Sequence, residues 1–254
     1  MAESDKTGDG AGGIFKDPQA LSPDKHADLR LKQVFDGFGF ACAQHVVPVT
    51  AHEIPQMATH YPIIFVGPQS APCAVMGVGE PVNLFVSEQG VFADDADPPS
   101  ALRQYPFFLK ADANSDQMLL CIDRAAPHFS TSEGDLLFED GKASKTAETV
   151  MQYLGALDHQ RRMTATFVEQ LKKFDLLATR EMKGRDPGQA GGEPRAVATY
   201  ITIDEKKLNE LGDKQLGELA KPGFLAVCYA ILMSQHNWRQ LMRLAQKRAA
   251  GKTN

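Results

Sequence analysis

Apolar positions along the chain change their spacing near residue 141. Before that point, short runs rich in β-branched and aromatic residues are separated by turn residues and predict strands. These strands are predicted at 38–49, 63–66, 74–78, 83–86, 91–93, 107–110 and 118–122. Because turns rather than long helices separate most of the runs, the pattern favours antiparallel pairing. Thr50 and Glu53, which follow the first of these strands, have the spacing of a helix capping box.

After residue 141 apolar residues recur every three or four positions, which predicts a helix over 144–174 with Ser144 as its N-cap. A strand is predicted at 197–203 and is expected to return to the sheet. Asp204 and Asp213 are predicted to cap short helices, and a final helix is predicted from Gly223 to about residue 248. The sequence therefore predicts an α+β fold, with an antiparallel β-sheet in the N-terminal half packed with helices concentrated in the C-terminal half.

The same pattern predicts one domain with two short extensions. Residues 1–20 contain little to bury and are expected to form a disordered arm, 21–248 a single α+β domain, and 249–254 a flexible tail. Residues 182–194 have the composition of a loop. At 254 residues with 43% hydrophobic and 23% charged residues, the chain can build an ordinary core.

Charge and cysteine usage narrow the class of protein. The 27 basic and 32 acidic residues give a net charge of -5, which argues against a nucleic-acid partner. The start of the chain has no signal-peptide pattern, and no apolar run is long enough to span a membrane. The four cysteines are scattered singly among apolar residues, as expected for buried thiols in a reducing compartment. We therefore expect a cytoplasmic protein.

Three short motifs resemble ligand sites but are incomplete. Gly77 and Gly79 begin a dinucleotide-type turn without its third glycine. Asp112 begins a stretch with calcium-loop spacing that lacks the bend glycine. His26 begins an HxD pair, but a strand normally supplies such a pair and His26 lies near the N-terminal arm. The respective alternatives that the sequence favours are a β-turn, a surface turn and an ordinary histidine, and a weak cation site stays open for the second motif. We expect no metal, no cofactor and no catalytic group.

Arg103 and Tyr105, next to Pro106, form the first candidate site, together with Asn83. Arg103 is expected to be at least half buried and bonded to carbonyls or a carboxylate, so that Arg103→Lys would cost on the order of 1–3 kcal/mol. Alternatively, its planar guanidinium binds the carboxylate of a ligand. These three residues are the predicted ligand-binding residues.

Arg239, Arg243 and Lys247 lie four residues apart on the predicted final helix. The chain from residue 221 onward contains no acidic residue. This face is either simply solvated or binds a partner, which would be an acidic protein or an anionic membrane surface. We predict these three residues as the partner-binding set.

Short motifs in a fixed order are similar to those of the SapC family of bacterial proteins. They cover residues from about 21 to 248 and are His26 to Leu31, Phe40–Ala41, Val47 to Val49, His52 to Ile54, Tyr61 to Phe65, Asn83 to Val86, Gly90, Leu102 to Phe107, Ile122–Asp123, Leu137–Phe138, Gly141, Thr199 to Ile201, Leu208–Asn209, and Gly223 to Leu225 with Tyr229 and Ser234. One position departs from the family, which usually has tryptophan where this chain has Phe92.

The resemblance implies a link to bacterial surfaces but transfers no catalytic residue. The family takes its name from a surface-layer-associated protein, and its members are often encoded near outer-membrane receptors and oxygenase-like or halogenase-like enzymes. We therefore expect a cytoplasmic, non-catalytic binding or assembly protein with a protein or peptide partner. It would act in the biogenesis or modification of a surface or secreted product. The alternative is an enzyme, or an accessory subunit of one, in the oxidative tailoring of a peptide.

Overall fold

A computed structural model describes residues 14–34, 37–112, 118–184 and 195–251. The strands in chain order are β1 (Pro18–Ala20), β2 (Arg30–Leu31), β3 (Val46–Pro48), β4 (Ile63–Val66), β5 (Ala71–Val75), β6 (Phe107–Ala111), β7 (Met118–Asp123), β8 (Phe129–Ser130), β9 (Asp135–Leu136), β10 (Phe138–Glu139), β11 (Lys142–Ala143), β12 (Leu177–Gly184) and β13 (Arg195–Ile203). The α-helices are α1 (Pro23–His26), α2 (Ile54–Met57), α3 (Ser100–Arg103), α4 (Lys145–Lys173), α5 (Glu205–Asn209), α6 (Asp213–Ala220), α7 (Phe224–Ser234) and α8 (Trp238–Gly251). Short 3₁₀ turns occupy Gly39–Ala41 and Gln235–Asn237.

The predicted α+β class is confirmed, with 40% helix and 23% strand. The largest sheet has the strand order β12-β13-β4-β5-β3, and all of its pairs are antiparallel. The predicted return of the strand near 197–203 is also confirmed, because β13 pairs with β4 at Ile201 and Phe65. A second sheet, β1-β7-β6, places β6 at an edge directly after Pro106, where a residue without an N–H is tolerated.

Helix α4 forms as its apolar spacing predicts. The Ser144 hydroxyl accepts the Ala147 N–H at 3.3 Å and so caps the first turn. Phe167, Val168 and Leu171 are buried on one side of the helix. This side packs into the main core, whereas the start of α4 packs into a second core beside β6 and β7. Tyr105 contacts both cores, so the segment that contains Arg103 lies at their junction.

The N-terminal arm is more ordered than the sequence predicts. Residues 1–13 lie outside the described residues, but Ile14 is buried and β1 pairs with β7. The Asp123 carboxylate accepts the backbone N–H groups of Lys16 and Asp17 at 3.0 and 2.8 Å. The expectation of disorder is therefore wrong for residues 14–20, since an acceptor more than 100 positions away holds this segment.

The ends of several other elements also differ from prediction. Residues 38–49 form a 3₁₀ turn and the short strand β3, because Phe38 and Phe40 pack against the core from a turn. The hairpin predicted at 83–93 is reduced to a single bridge between Val86 and Phe92. Residues 182–184 extend β12, and 185–194, the rest of the predicted loop, lie outside the described residues.

The predicted final helix is interrupted once and ends later than expected. Ser234 Oγ accepts the Ile63 N–H at 3.0 Å, and the Gln235 amide donates to the Ile63 carbonyl at 2.9 Å. These bonds to β4 coincide with the 3₁₀ turn between α7 and α8. The tail predicted at 249–254 is helical over 249–251, and 252–254 lie outside the described residues.

Candidate functional site

Glu53 is a buried carboxylate, 6% exposed, where two distant segments meet. Its Oε1 accepts the Thr50 N–H at 2.8 Å and the Ser100 hydroxyl at 2.7 Å. Its Oε2 accepts the Ser100 N–H at 2.8 Å. The predicted capping box is therefore present in its glutamate half, and the same carboxylate also fixes the start of α3. The spacing of Thr50 and Glu53 revealed this cap but not the contact with Ser100, 47 positions away.

Arg103 ends α3 and lies beside this carboxylate. Its Nη2 is 3.7 Å from Glu53 Oε2, and its side chain is 47% exposed. Among the described residues, its guanidinium makes this ion pair and no hydrogen bond. The expected hydrogen bonds of Arg103 are thus absent, because closer donors already occupy Glu53. The backbone at Arg103 is helical, since α3 spans Ser100–Arg103.

Two cavities meet at Arg103. A small pocket of about 230 Å³ lies over Glu53 and is also lined by His52, Gln56 and Gln160. A larger groove of about 980 Å³ is also lined by Arg103. Tyr153 of α4 lines both cavities, and burial raises the pKa of its phenol. Arg103 and Tyr153 are therefore shared by the two cavities.

The groove combines aromatic and apolar walls with polar groups. Its apolar members include Leu31, Val34, Tyr105, Phe107, Val150 and Leu154, and its polar members include Lys32, Gln33, Gln104, His128, Asp135 and Thr149. The Tyr105 ring stacks on Phe40 with a centroid distance of 3.8 Å. The Tyr105 hydroxyl donates to Asp123 Oδ2 at 3.0 Å, and burial together with this carboxylate raises the tyrosine pKa. Tyr105 is thus a fixed, neutral part of the wall.

His128 lines the groove next to Tyr105, with 5.5 Å between ring centroids. Burial lowers the pKa of His128, so the imidazole is neutral at pH 7. Its Nδ1 is buried and has no hydrogen-bond partner among the described residues. Gly37 lies against the same ring, since a Cβ there would be 2.9 Å from Nε2. No spacing pattern around His128 separates it from the other histidines.

Asn83, the third predicted ligand-binding residue, does not line the groove. Its side chain is fully buried, its amide donates to Met76 Sδ at 3.8 Å, and its Oδ1 accepts the Phe85 N–H at 3.0 Å. The structure therefore brings Arg103 and Tyr105 together and places Asn83 in the core.

Arg239, Arg243 and Lys247 are all exposed on α8, as their spacing predicts. Among the described ion pairs none involves these three side chains. Arg248, in contrast, is half-buried and donates to the carbonyls of Asn83 and Val86 at 3.2 and 3.1 Å. Arg248 thereby fixes α8 to the loop that contains Asn83.

Of the incomplete motifs, the one that begins at His26 has a structural role. His26 Nδ1 accepts the Ser22 N–H at 3.2 Å, and burial lowers the pKa of this histidine. Positions 113–117 of the calcium-like stretch lie outside the described residues. Within the described parts of the chain, no three His, Cys, Asp or Glu side chains lie close enough to hold a metal ion. The four cysteines are unpaired.

No single helix in the described ranges is long and apolar enough to cross a membrane. One pair, Asp213–Ala220 with Phe224–Gly251, meets the length and composition test together but bends by 88° at its break.

Comparison with known proteins identifies the family. The family model described as SapC matches residues 21–241, most of the chain, and the chain therefore belongs to the SapC family. No curated protein and no solved structure matches the chain.

Proposed function

We propose that this SapC family protein is a cytoplasmic, non-catalytic binding protein that holds an acidic peptide segment in the groove beside Arg103. In this role it would serve the assembly or modification of a bacterial surface or secreted product. The observation that supports the proposal is the state of Arg103. Its guanidinium lies beside a buried carboxylate, is half exposed, and keeps its hydrogen-bond donors available.

A guanidinium held in this way suits a carboxylate ligand. Its planar fork of N–H groups matches two carboxylate oxygens, and charge-assisted bonds of this kind are among the stronger ones in proteins. Glu53 limits the positions that the guanidinium can take, so less conformational freedom is lost on binding. The first ligand group that we assign is therefore a carboxylate.

The rest of the groove favours a peptide over a simple anion. Its volume of about 980 Å³ lies at the upper end of the range for ligand sites. Tyr105 and Phe107 offer an aromatic wall for an apolar side chain, and Asp135 can accept N–H groups. A peptide with an acidic residue next to an aromatic one carries all of these groups.

The proposed cytoplasmic location is supported separately, by the cysteines. Four unpaired cysteines in a chain of this size are typical of a reducing compartment. Fractionation of the native host should recover the protein with the cytoplasm, and a mainly extracellular pool would overturn this part of the proposal.

Binding can be tested with a fluorescein-labelled library of pentapeptides that each contain one Asp or Glu and one aromatic residue. A matched library carries Asn or Gln instead of the acid. We expect saturable binding, measured by fluorescence anisotropy, to acidic members and at least about tenfold weaker binding to their amide counterparts, as for loss of one charged hydrogen-bonded pair. Equal binding of the two libraries, or binding of neither, would contradict the proposal.

Arg103→Gln is the matching change in the protein. It should weaken binding of acidic peptides to the level of the amide peptides, whereas Arg180→Gln, at an exposed position on β12, should leave binding unchanged. Mass spectrometry of the peptides after incubation tests the non-catalytic part. A peptide whose mass changes only with the intact protein would favour the alternative role in peptide tailoring.

A further inference from the structure

Each of the last two long helices exposes one side to solvent. Helix α7, the 3₁₀ turn and α8 follow one another without a loop from Phe224 to Gly251. Within each helix, exposed residues recur every three or four positions and so share one side of that helix. We call this set the outer stripe, and it consists of Ala226, Tyr229, Met233, Arg239, Arg243 and Lys247.

The outer stripe is apolar at one end and basic at the other. Met233 is 71% exposed and Tyr229 is 43% exposed, and both are large side chains on a helix whose inner side is buried. The three cations follow within the next fourteen positions. Residues 219–254 contain no acidic residue, and Glu218, the last acid before them, pairs with Lys173 at 2.7 Å. The positive charge of the stripe is therefore not cancelled within its own helices.

The rod is held firmly from its inner side. Val227, Cys228 and Ile231 of α7 and Leu241 of α8 are buried in the main core. Arg248 ties the end of α8 to the loop carbonyls of Asn83 and Val86. The outer stripe is thus preformed, and binding would not need to pay for helix formation.

We propose that the outer stripe docks on an anionic phospholipid surface. A rod of 28 residues is about 42 Å long at the usual helical rise. A line of cations beside an exposed methionine and tyrosine is the chemistry by which helices lie in the headgroup region of membranes. The cations are four residues apart, about 6 Å of helical rise, and this spacing suits a laterally extended charged sheet of headgroups. This docking is independent of the peptide groove.

Vesicle flotation tests this inference with defined lipids. We expect the full chain to float with mixed phosphatidylcholine–phosphatidylglycerol vesicles at low salt, to bind pure phosphatidylcholine far more weakly, and to dissociate at high salt. Replacing Arg239, Arg243 and Lys247 with glutamine should reduce partitioning about 100-fold, since each cation near an anionic surface contributes roughly fivefold.

A second triple variant controls for net charge. Lys25→Gln, Lys110→Gln and Lys142→Gln remove the same charge from exposed positions elsewhere and should leave partitioning within about twofold. Met233→Ser should weaken binding several-fold without changing its salt dependence, because it removes apolar contact only.

Other outcomes would overturn the inference. These are equal losses in the two triple variants, or no flotation with anionic vesicles. Binding to polyglutamate that depends on the outer stripe, without vesicle binding, would instead identify an acidic protein as the partner.

Discussion

Replacing Asp123 with asparagine should release the N-terminal arm and destabilise the whole domain. The Asp123 side chain is fully buried, and its two oxygens accept four donors. These donors are the N–H groups of Lys16 and Asp17 at 3.0 and 2.8 Å, the Tyr105 hydroxyl at 3.0 Å, and the Ala125 N–H at 3.3 Å. An asparagine presents an NH₂ group where one oxygen was, so about two donors would face another donor.

The size of the effect follows from these bonds. Hydrogen bonds to charged groups contribute about 1.5–3 kcal/mol each, so losing two should lower the free energy of unfolding by about 3–6 kcal/mol. For a domain of this size, each kcal/mol corresponds to about 2–4 °C in Tm. Urea denaturation followed by circular dichroism measures the free energy. Asp94→Asn, at an exposed carboxylate, is the control and should change it by less than about 0.5 kcal/mol.

The pH dependence of the free energy of unfolding gives a second, more specific test of the role of Asp123. Burial alone would raise the pKa of Asp123, but the four donors together outweigh burial and lower it below its ordinary value. A carboxyl group whose pKa is lowered by folding stabilises the folded state at pH values above its pKa in the unfolded chain, which is about 3.9. This stabilisation is lost as the pH falls through the folded pKa. The difference between wild type and Asp123→Asn should therefore be full at pH 7 and narrow below about pH 4.

Trypsin cleavage after Lys16 reports on the arm itself. Cleavage at this bond should be faster in Asp123→Asn than in wild type under native conditions, because the arm loses one of its two bonds to this side chain, whichever oxygen the NH₂ group replaces. Unchanged stability together with unchanged cleavage would refute the role assigned to Asp123.

Three further substitutions test the contacts around the site. Ser100→Ala removes one hydroxyl donor to Glu53 and should lower the free energy of unfolding by about 1–2 kcal/mol in urea denaturation, whereas no change would show that the bond is dispensable. Arg103→Lys should change that free energy by less than about 1 kcal/mol, since the ion pair is 3.7 Å long and half exposed, and a larger loss would mean that Arg103 is structural. Arg248→Met removes two bonds to loop carbonyls and should cost about 1–3 kcal/mol, with faster amide exchange near Val86, while unchanged exchange there would contradict the anchoring role.

Much of the architecture could be predicted because it depends on local spacing. Helix α4 with its Ser144 cap and the antiparallel strands follow from periods of 3.6 and 2. Asp204 likewise accepts the N–H groups of Lys206 and Lys207, as its position before a helix predicts. In each case the determining residues are close neighbours in sequence.

The contacts that build the candidate site could not be predicted in this way. Glu53 meets Ser100 across 47 positions, and Asp123 meets Lys16 across 107. Such convergence depends on the tertiary fold, so it leaves no periodic trace in one sequence. Arg103 was identified from its neighbours alone, but the carboxylate that orients it was not. The polar side chain of Asn83 forms its hydrogen bonds inside the core. The residue type alone does not distinguish such a structural role from ligand binding.

The central claim, that Arg103 binds the carboxylate of a peptide ligand, is tested most directly by a double-mutant cycle. The four dissociation constants pair wild type and Arg103→Gln with the best acidic peptide and its amide counterpart. The account predicts a coupling free energy of about 1.5–3 kcal/mol, as for a hydrogen bond between charged groups. A coupling energy of zero would show that Arg103 and the peptide carboxylate do not interact, and it would contradict the account.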